Sequence, residues 1–152
     1  MSQLGCRKIY DQYLNNLEQP MQAALTHTGR SLLALYFLYP GIMKFVAWDR
    51  GVTLMETHGM VMAPILLALA GIIQIGASIC LLINKQVVLC ALALAGMVLI
   101  INVSLHDFWN IYEGVNTGHE LQNFVKNLGI FAGLLLLAAM NMESSTDGGK
   151  AQ

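Results

Sequence analysis

The stretch VMAPILLALAGIIQIGASICLLI (residues 61–83), NKQ (84–86) and VVLCALALAGMVLIINVSLHDFW (87–109) decides the fold. Each flank is a nearly unbroken apolar run, long enough to cross a hydrocarbon core as a helix, which takes about 17–25 residues. Lipid offers backbone polar groups no partners, so an open chain crosses it as helix. Asn84, Lys85 and Gln86 alone separate the two runs, which predicts an antiparallel hairpin turning at one membrane face.

Working outward, two further spans are expected near 29–48 and 122–140. The first contains Pro40 and Lys44, and the second carries Lys126 close to its start. Composition agrees with a membrane class. Of 152 residues, 56% are hydrophobic and 11% charged, mean hydropathy is +0.58, and a soluble domain has about 25% charged residues. The expected fold is therefore all-α, a transmembrane four-helix bundle over 29–140. An N-terminal arm (1–28) precedes it and a disordered polar tail (141–152) follows.

The arm repeats Ile9, Tyr13, Leu17 and Met21 on an otherwise polar helix. Such a stripe suits a helix lying in the headgroup plane or docking in a partner's groove, and Pro20 should break or restart it. The N-terminus has two basic residues but no apolar core, so no signal peptide is expected. An even number of spans puts both termini on one side. With that side cytoplasmic, Arg7, Lys8, Arg30, Lys85 and Lys150 lie inside, against Arg50, Lys44 and Lys126 outside, as the positive-inside rule favours.

A net charge of −1 and the lack of basic runs exclude a nucleic-acid footprint. No nucleophilic triad, phosphate loop or carboxylate pair is present. His58, His106, His119, Glu56 and Glu120 share the outer side without a recognised metal spacing, so no metal is expected. Cys6, Cys80 and Cys90 should be free thiols, since buried cysteine usually acts as a small hydrophobe. Gly129 and Gly133, like Ala91 and Ala95, have the small-xxx-small spacing that lets helices approach closely.

Polar residues concentrate at the outer face: Lys44, His106, Asp107, Asn123, Lys126 and Asn127, with Trp48 and Trp109 as interfacial anchors. An amine a turn inside the bilayer is costly unless it snorkels or finds a partner, and both readings of Lys44 stand. Gln74, near the middle of its span, should bridge helices or line a small cavity. His106 suits a proton relay or an interfacial anchor.

The segments GRSLLALYFLYPGIMKF, APILLALAGIIQIGASICLL, HDFW and EGVNTGHELQNFVKNLGIFAGLLLLA together resemble the DoxX family of small bacterial four-span membrane proteins. That resemblance implies a bundle in the bacterial cytoplasmic (inner) membrane. In some relatives it implies thiosulfate oxidation coupled to quinone reduction, and in others membrane complexes of thiol redox defence. The motif positions here are Gly29, Arg30, Gly41, Lys44, His106, Asn123, Lys126 and Asn127. Two departures stand out: Gln74 where a glutamate is common, and Asn84-Lys85-Gln86 in the turn that often carries Gly and Arg.

The expected function is a redox-associated subunit with no intrinsic cofactor. Lys44, Gln74, His106, Asn123, Lys126 and Asn127 would form an outer pocket for a quinone or small anion, with Lys44, His106 and Asn127 facing one another. The alternative is an accessory subunit that anchors a larger membrane complex, its partners being lipid and other membrane subunits. Whether turnover occurs is left open.

Overall fold

The computed structural model describes the backbone of residues 3–148 and, within it, the side chains of residue 12 and residues 16–142. Five helices follow in order: α1 (Gln3–Val46), α2 (Trp48–Thr57), α3 (Ala63–Leu82), α4 (Val87–Leu105) and α5 (Thr117–Gly148). Three of them, α3, α4 and α5, are long and apolar enough to cross a membrane, and the count rises to four if α1 and α2, joined at a sharp bend, are taken together as one broken span. The side chains of Cys6, Ile9 and Tyr13 lie outside the described residues, as does the tail beyond Gly148.

The hairpin forms as expected. Asn84 (φ 58) and Gln86 (φ 50) adopt the left-handed conformation, which asparagine tolerates better than most residues. Lys85 N–H donates to Cys80 O at 2.9 Å, closing α3. The turn defines one face of the bundle, called here the terminal face because the outer parts of α1 and α5 also lie there. The opposite, loop face carries α2 and the α4–α5 connection.

Neighbouring helices pack in the sequence α1–α3–α4–α5, while α1 and α5 touch sparsely. Phe37, Leu81, Ala91, Leu94 and Leu134 are buried in the centre. Ala91 and Ala95 use their small size within this core. Gly129 and Gly133 do not: a Cβ added at either meets nothing within 4 Å.

Four features differ from the sequence reading. Pro20 and Pro40 both lie inside α1, which runs unbroken for 44 residues. Each proline forfeits one backbone hydrogen bond, but the flanking turns on both sides hold the helix together. The first span stops at Val46, where the chain bends by 95° into α2. Trp48, Val52 and Met55 of α2 then pack against Ala63, Leu67 and Leu105, so burial of one apolar stripe offsets the bend. The third span ends at Leu105 rather than Trp109, with His106 as its C-cap. At its start α5 gains five residues over the expected 122, because Asn116 Oδ1 accepts from His119 N–H at 3.1 Å and caps the helix.

Candidate functional site

Where α1 crosses α3, glycine on both helices permits close approach. A Cβ at Gly41 would stand 3.0 Å from Gln74 Cβ, and one at Gly71 would stand 2.5 Å from the Phe45 ring. Lys44 follows Gly41 by three residues, one turn along the same α1 face, and so points at α3. Its Nζ donates to Gln74 Oε1 at 2.7 Å. Gln74 lies 11 residues beyond Ala63, about 16 Å down the helix and close to the middle of a ~30 Å core. Lys44 therefore reaches inward to a partner instead of snorkelling outward.

Across the bundle a second polar chain links α4 to α5. Asn102, 1% exposed, donates from Nδ2 to Phe124 O at 3.1 Å. Its Oδ1 accepts from Asn127 Nδ2, also at 3.1 Å. Both amides are buried; Asn102 has its Nδ2 and Oδ1 engaged and Asn127 its Nδ2, as membrane interiors demand.

At the loop face two carboxylates organise the surroundings. Asp107 Oδ2 accepts from Asn110 Nδ2 (2.6 Å) and Tyr112 Oη (2.7 Å). Desolvation pushes the Asp107 carboxyl up, but these hydrogen bonds and the nearby His58 outweigh it and hold the group below its ordinary value. The bond to Asp107 in turn raises Tyr112. The His58 ring packs against Tyr112 at a 45° tilt, with centroids 4.3 Å apart. Its Nδ1 lies 2.9 Å from Leu54 O, an acceptor, so Nδ1 carries the hydrogen. Its buried Nε2 faces Asp107 Oδ1 at 3.8 Å.

The second carboxylate, Glu120 in the first turn of α5, meets His106 Nδ1 at 2.5 Å. A carboxylate accepting from Nδ1–H fixes the imidazole ring and its tautomer and leaves Nε2 as the unprotonated ring nitrogen of a neutral imidazole.

The six expected site residues thus divide among separate groups. Lys44 pairs with Gln74, Asn127 with Asn102, and His106 with Glu120. Lys126 donates to Asn123 at 3.0 Å on an exposed stretch of α5. Among the described residues no hydrogen bond or ion pair joins Lys44 to His106 or Asn127. Trp48 is half-buried and stacks on Phe45 at 6.2 Å. Trp109 is 54% exposed and packs edge-on against Phe108 and Phe124. Glu120, Asn102 and Tyr112 were missed as site residues. Of these, Tyr112 was the most accessible from sequence, lying five residues from Asp107 in one connection.

Cys80 and Cys90 are free thiols in the main apolar cluster. Among the described residues no group of three or more His, Cys, Asp or Glu side chains is placed to hold a metal ion.

Residues 25–107, more than half of the chain, match the DoxX family model. The chain belongs to the DoxX family. No curated protein and no solved structure matches it detectably. The matched DoxX segment holds Arg30, Gly41, Lys44, Gln74 and His106, and stops at Asp107. Asn123, Lys126 and Asn127, carried over from the wider resemblance, fall outside it.

Proposed function

We propose that this DoxX protein is a redox-associated membrane subunit, without a redox cofactor of its own, in which Lys44 receives a quinone carbonyl or small anion. One observation supports the reading above the others. The Lys44 ammonium, in the last turn of α1 but facing the middle of α3, is held at 2.7 Å by the neutral amide of Gln74, and among the described residues no carboxylate pairs with it. An amide satisfies one N–H but cancels no charge, so a cost of several kcal/mol remains in the hydrocarbon. A ligand oxygen that carries or develops negative charge would lower that cost, and more so as reduction proceeds. Electrons would come from a partner, since the residues here supply acid–base chemistry alone. The His106–Glu120 pair at the loop face would pass protons to water.

Trp48, four residues from Lys44, gives a direct test through quenching by a short-chain quinone in nanodiscs. Lys44→Met should weaken binding about 10- to 100-fold, the scale of a lost charge-assisted hydrogen bond, and Lys44→Arg should restore part of it. Equal binding by Lys44→Met would remove the ligand role.

A second reading has its own support. Gln3–Gly29 of α1 covers 27 residues before Arg30, about 40 Å of helix, with Leu17, Met21 and Leu25 exposed. That arm suits an accessory subunit docking on a larger membrane complex. Loss of a co-purifying partner when residues 3–19 are deleted, with quinone binding intact, would favour it.

A further inference from the structure

At the terminal face, far from Lys44, Arg30 is buried to 6% exposure. Its Nη1 donates to Asn84 Oδ1 and its Nη2 meets His27 Nδ1 at 3.0 Å. Nε is buried with no partner. Among the described residues no carboxylate pairs with the guanidinium. Glu18 follows the same wall but lies 12 residues away, about 18 Å along the helix and beyond a Debye length in physiological salt. Two of five donors are engaged by neutral groups, and the charge is uncancelled.

The space around Arg30 is two-sided. Toward water, a polar cup of about 290 Å³ is lined by Gln19, Gln22, Thr26, His27 and Asn84. Beside it an apolar groove of about 870 Å³ opens between α1 and α5; its α1 wall runs from Glu18 past Arg30 to Tyr36, and its inward part is walled by Leu33, Tyr36, Ile130, Gly133 and Leu137. Arg30, Gln22, Thr26 and Met140 belong to both. Arg30 bonds to the turn that joins the two apolar helices α3 and α4, so its guanidinium sits at the end of the bundle where lipid headgroups meet the spans. Inward of Arg30 the groove follows α5 from Met140 to Ile130, ten residues or about 15 Å, which an acyl chain of one leaflet of a ~30 Å core can fill.

We infer that Arg30 binds the phosphate of an anionic phospholipid whose acyl chain fills the α1–α5 groove. Charge complementarity and depth select this occupant. An apolar partner helix would fill the groove but bring no anion to Arg30, and a free anion would leave the groove unfilled. Guanidinium is the side chain best matched to phosphate oxygens.

The full chain in detergent, offered equimolar phosphatidylglycerol and phosphatidylcholine, is read by native mass spectrometry. The wild type should retain one phosphatidylglycerol per chain with about tenfold preference. Arg30→Gln should abolish the preference while still holding lipid, and Arg30→Lys should keep a reduced preference. Gly133→Leu should lose both lipids at unchanged helicity, since the space beside Gly133 is open. If Arg30→Gln fails to fold, the wild-type preference and Gly133→Leu decide. Equal retention of the two lipids, or a preference surviving Arg30→Gln, would overturn the proposal. So would displacement of the lipid by millimolar inorganic phosphate, or a chain dimer that Gly133→Leu dissociates.

Discussion

Replacing Asn102 by alanine removes the bridge between α4 and α5, and its cost can be worked from two contacts. Asn102 donates to Phe124 O and accepts from Asn127, both at 3.1 Å, from a site 1% exposed. Interhelical polar bonds in membranes average about 0.6 kcal/mol and reach about 1.7, so two of them predict a loss of roughly 1–3 kcal/mol. The Phe124 carbonyl also belongs to the α5 backbone, so the Asn127 amide is the group left most exposed to loss. A double-mutant cycle with Asn127→Ala isolates the shared bond, with an expected coupling of about 0.6–1.7 kcal/mol. Reversible unfolding by SDS in mixed micelles, followed by far-UV circular dichroism, measures each corner. Asn102→Leu keeps most of the volume and separates packing from hydrogen bonding. Coupling near zero, with Asn102→Leu as stable as wild type, would refute the view that this amide chain holds the two helices in register.

Other perturbations act elsewhere in the bundle. The Asp107 carboxyl is held below its unfolded value, so its stabilisation is present above the unfolded pKa of about 3.9 and is lost as pH falls through the lower folded value. Asp107→Asn should flatten that acid limb in a stability–pH profile. Tyr112 is raised by its bond to Asp107, so one tyrosine should ionise above the usual range in an ultraviolet titration and return toward it in Asp107→Asn. Gly71→Leu forces side-chain atoms into the Phe45 ring, which a Cβ alone would approach at 2.5 Å, and should destabilise by about 1–3 kcal/mol. Gln74→Glu gives Lys44 a counter-charge and should suppress anion or quinone binding in the Trp48 assay while preserving the fold.

The hairpin was legible because nothing interrupts residues 61–83 or 87–105 and three residues cannot hold two spans any other way. Lys44 was legible in retrospect: Gly41, three residues before it, is the residue that brings α1 against Gln74, so the lysine shares its face. The α1–α2 bend was not, because no proline or glycine marks Val46 and Ala47, and α2 gains its stability by packing on Ala63 and Leu67 of the next helix and on Leu105 far along the chain. For the same reason the partners of the expected pocket residues were not legible. Common depth placed Lys44, His106 and Asn127 together, whereas rotation about each helix axis gives them different partners. Glu120 became visible as the partner of His106 only once the Asn116 cap had set where α5 starts. Arg30 gave no sign in the sequence that its guanidinium would be buried beside neutral groups.

The most direct test of the Lys44 site is a solid-state NMR dipolar measurement between ¹⁵N-labelled Lys44 Nζ and a quinone ¹³C-labelled at its carbonyl carbons, in lipid bilayers. A hydrogen bond from Nζ to the carbonyl oxygen places nitrogen and carbon about 4 Å apart, giving strong dephasing that Gln74→Glu should abolish. Bound quinone with no dephasing at Lys44 would contradict the assignment.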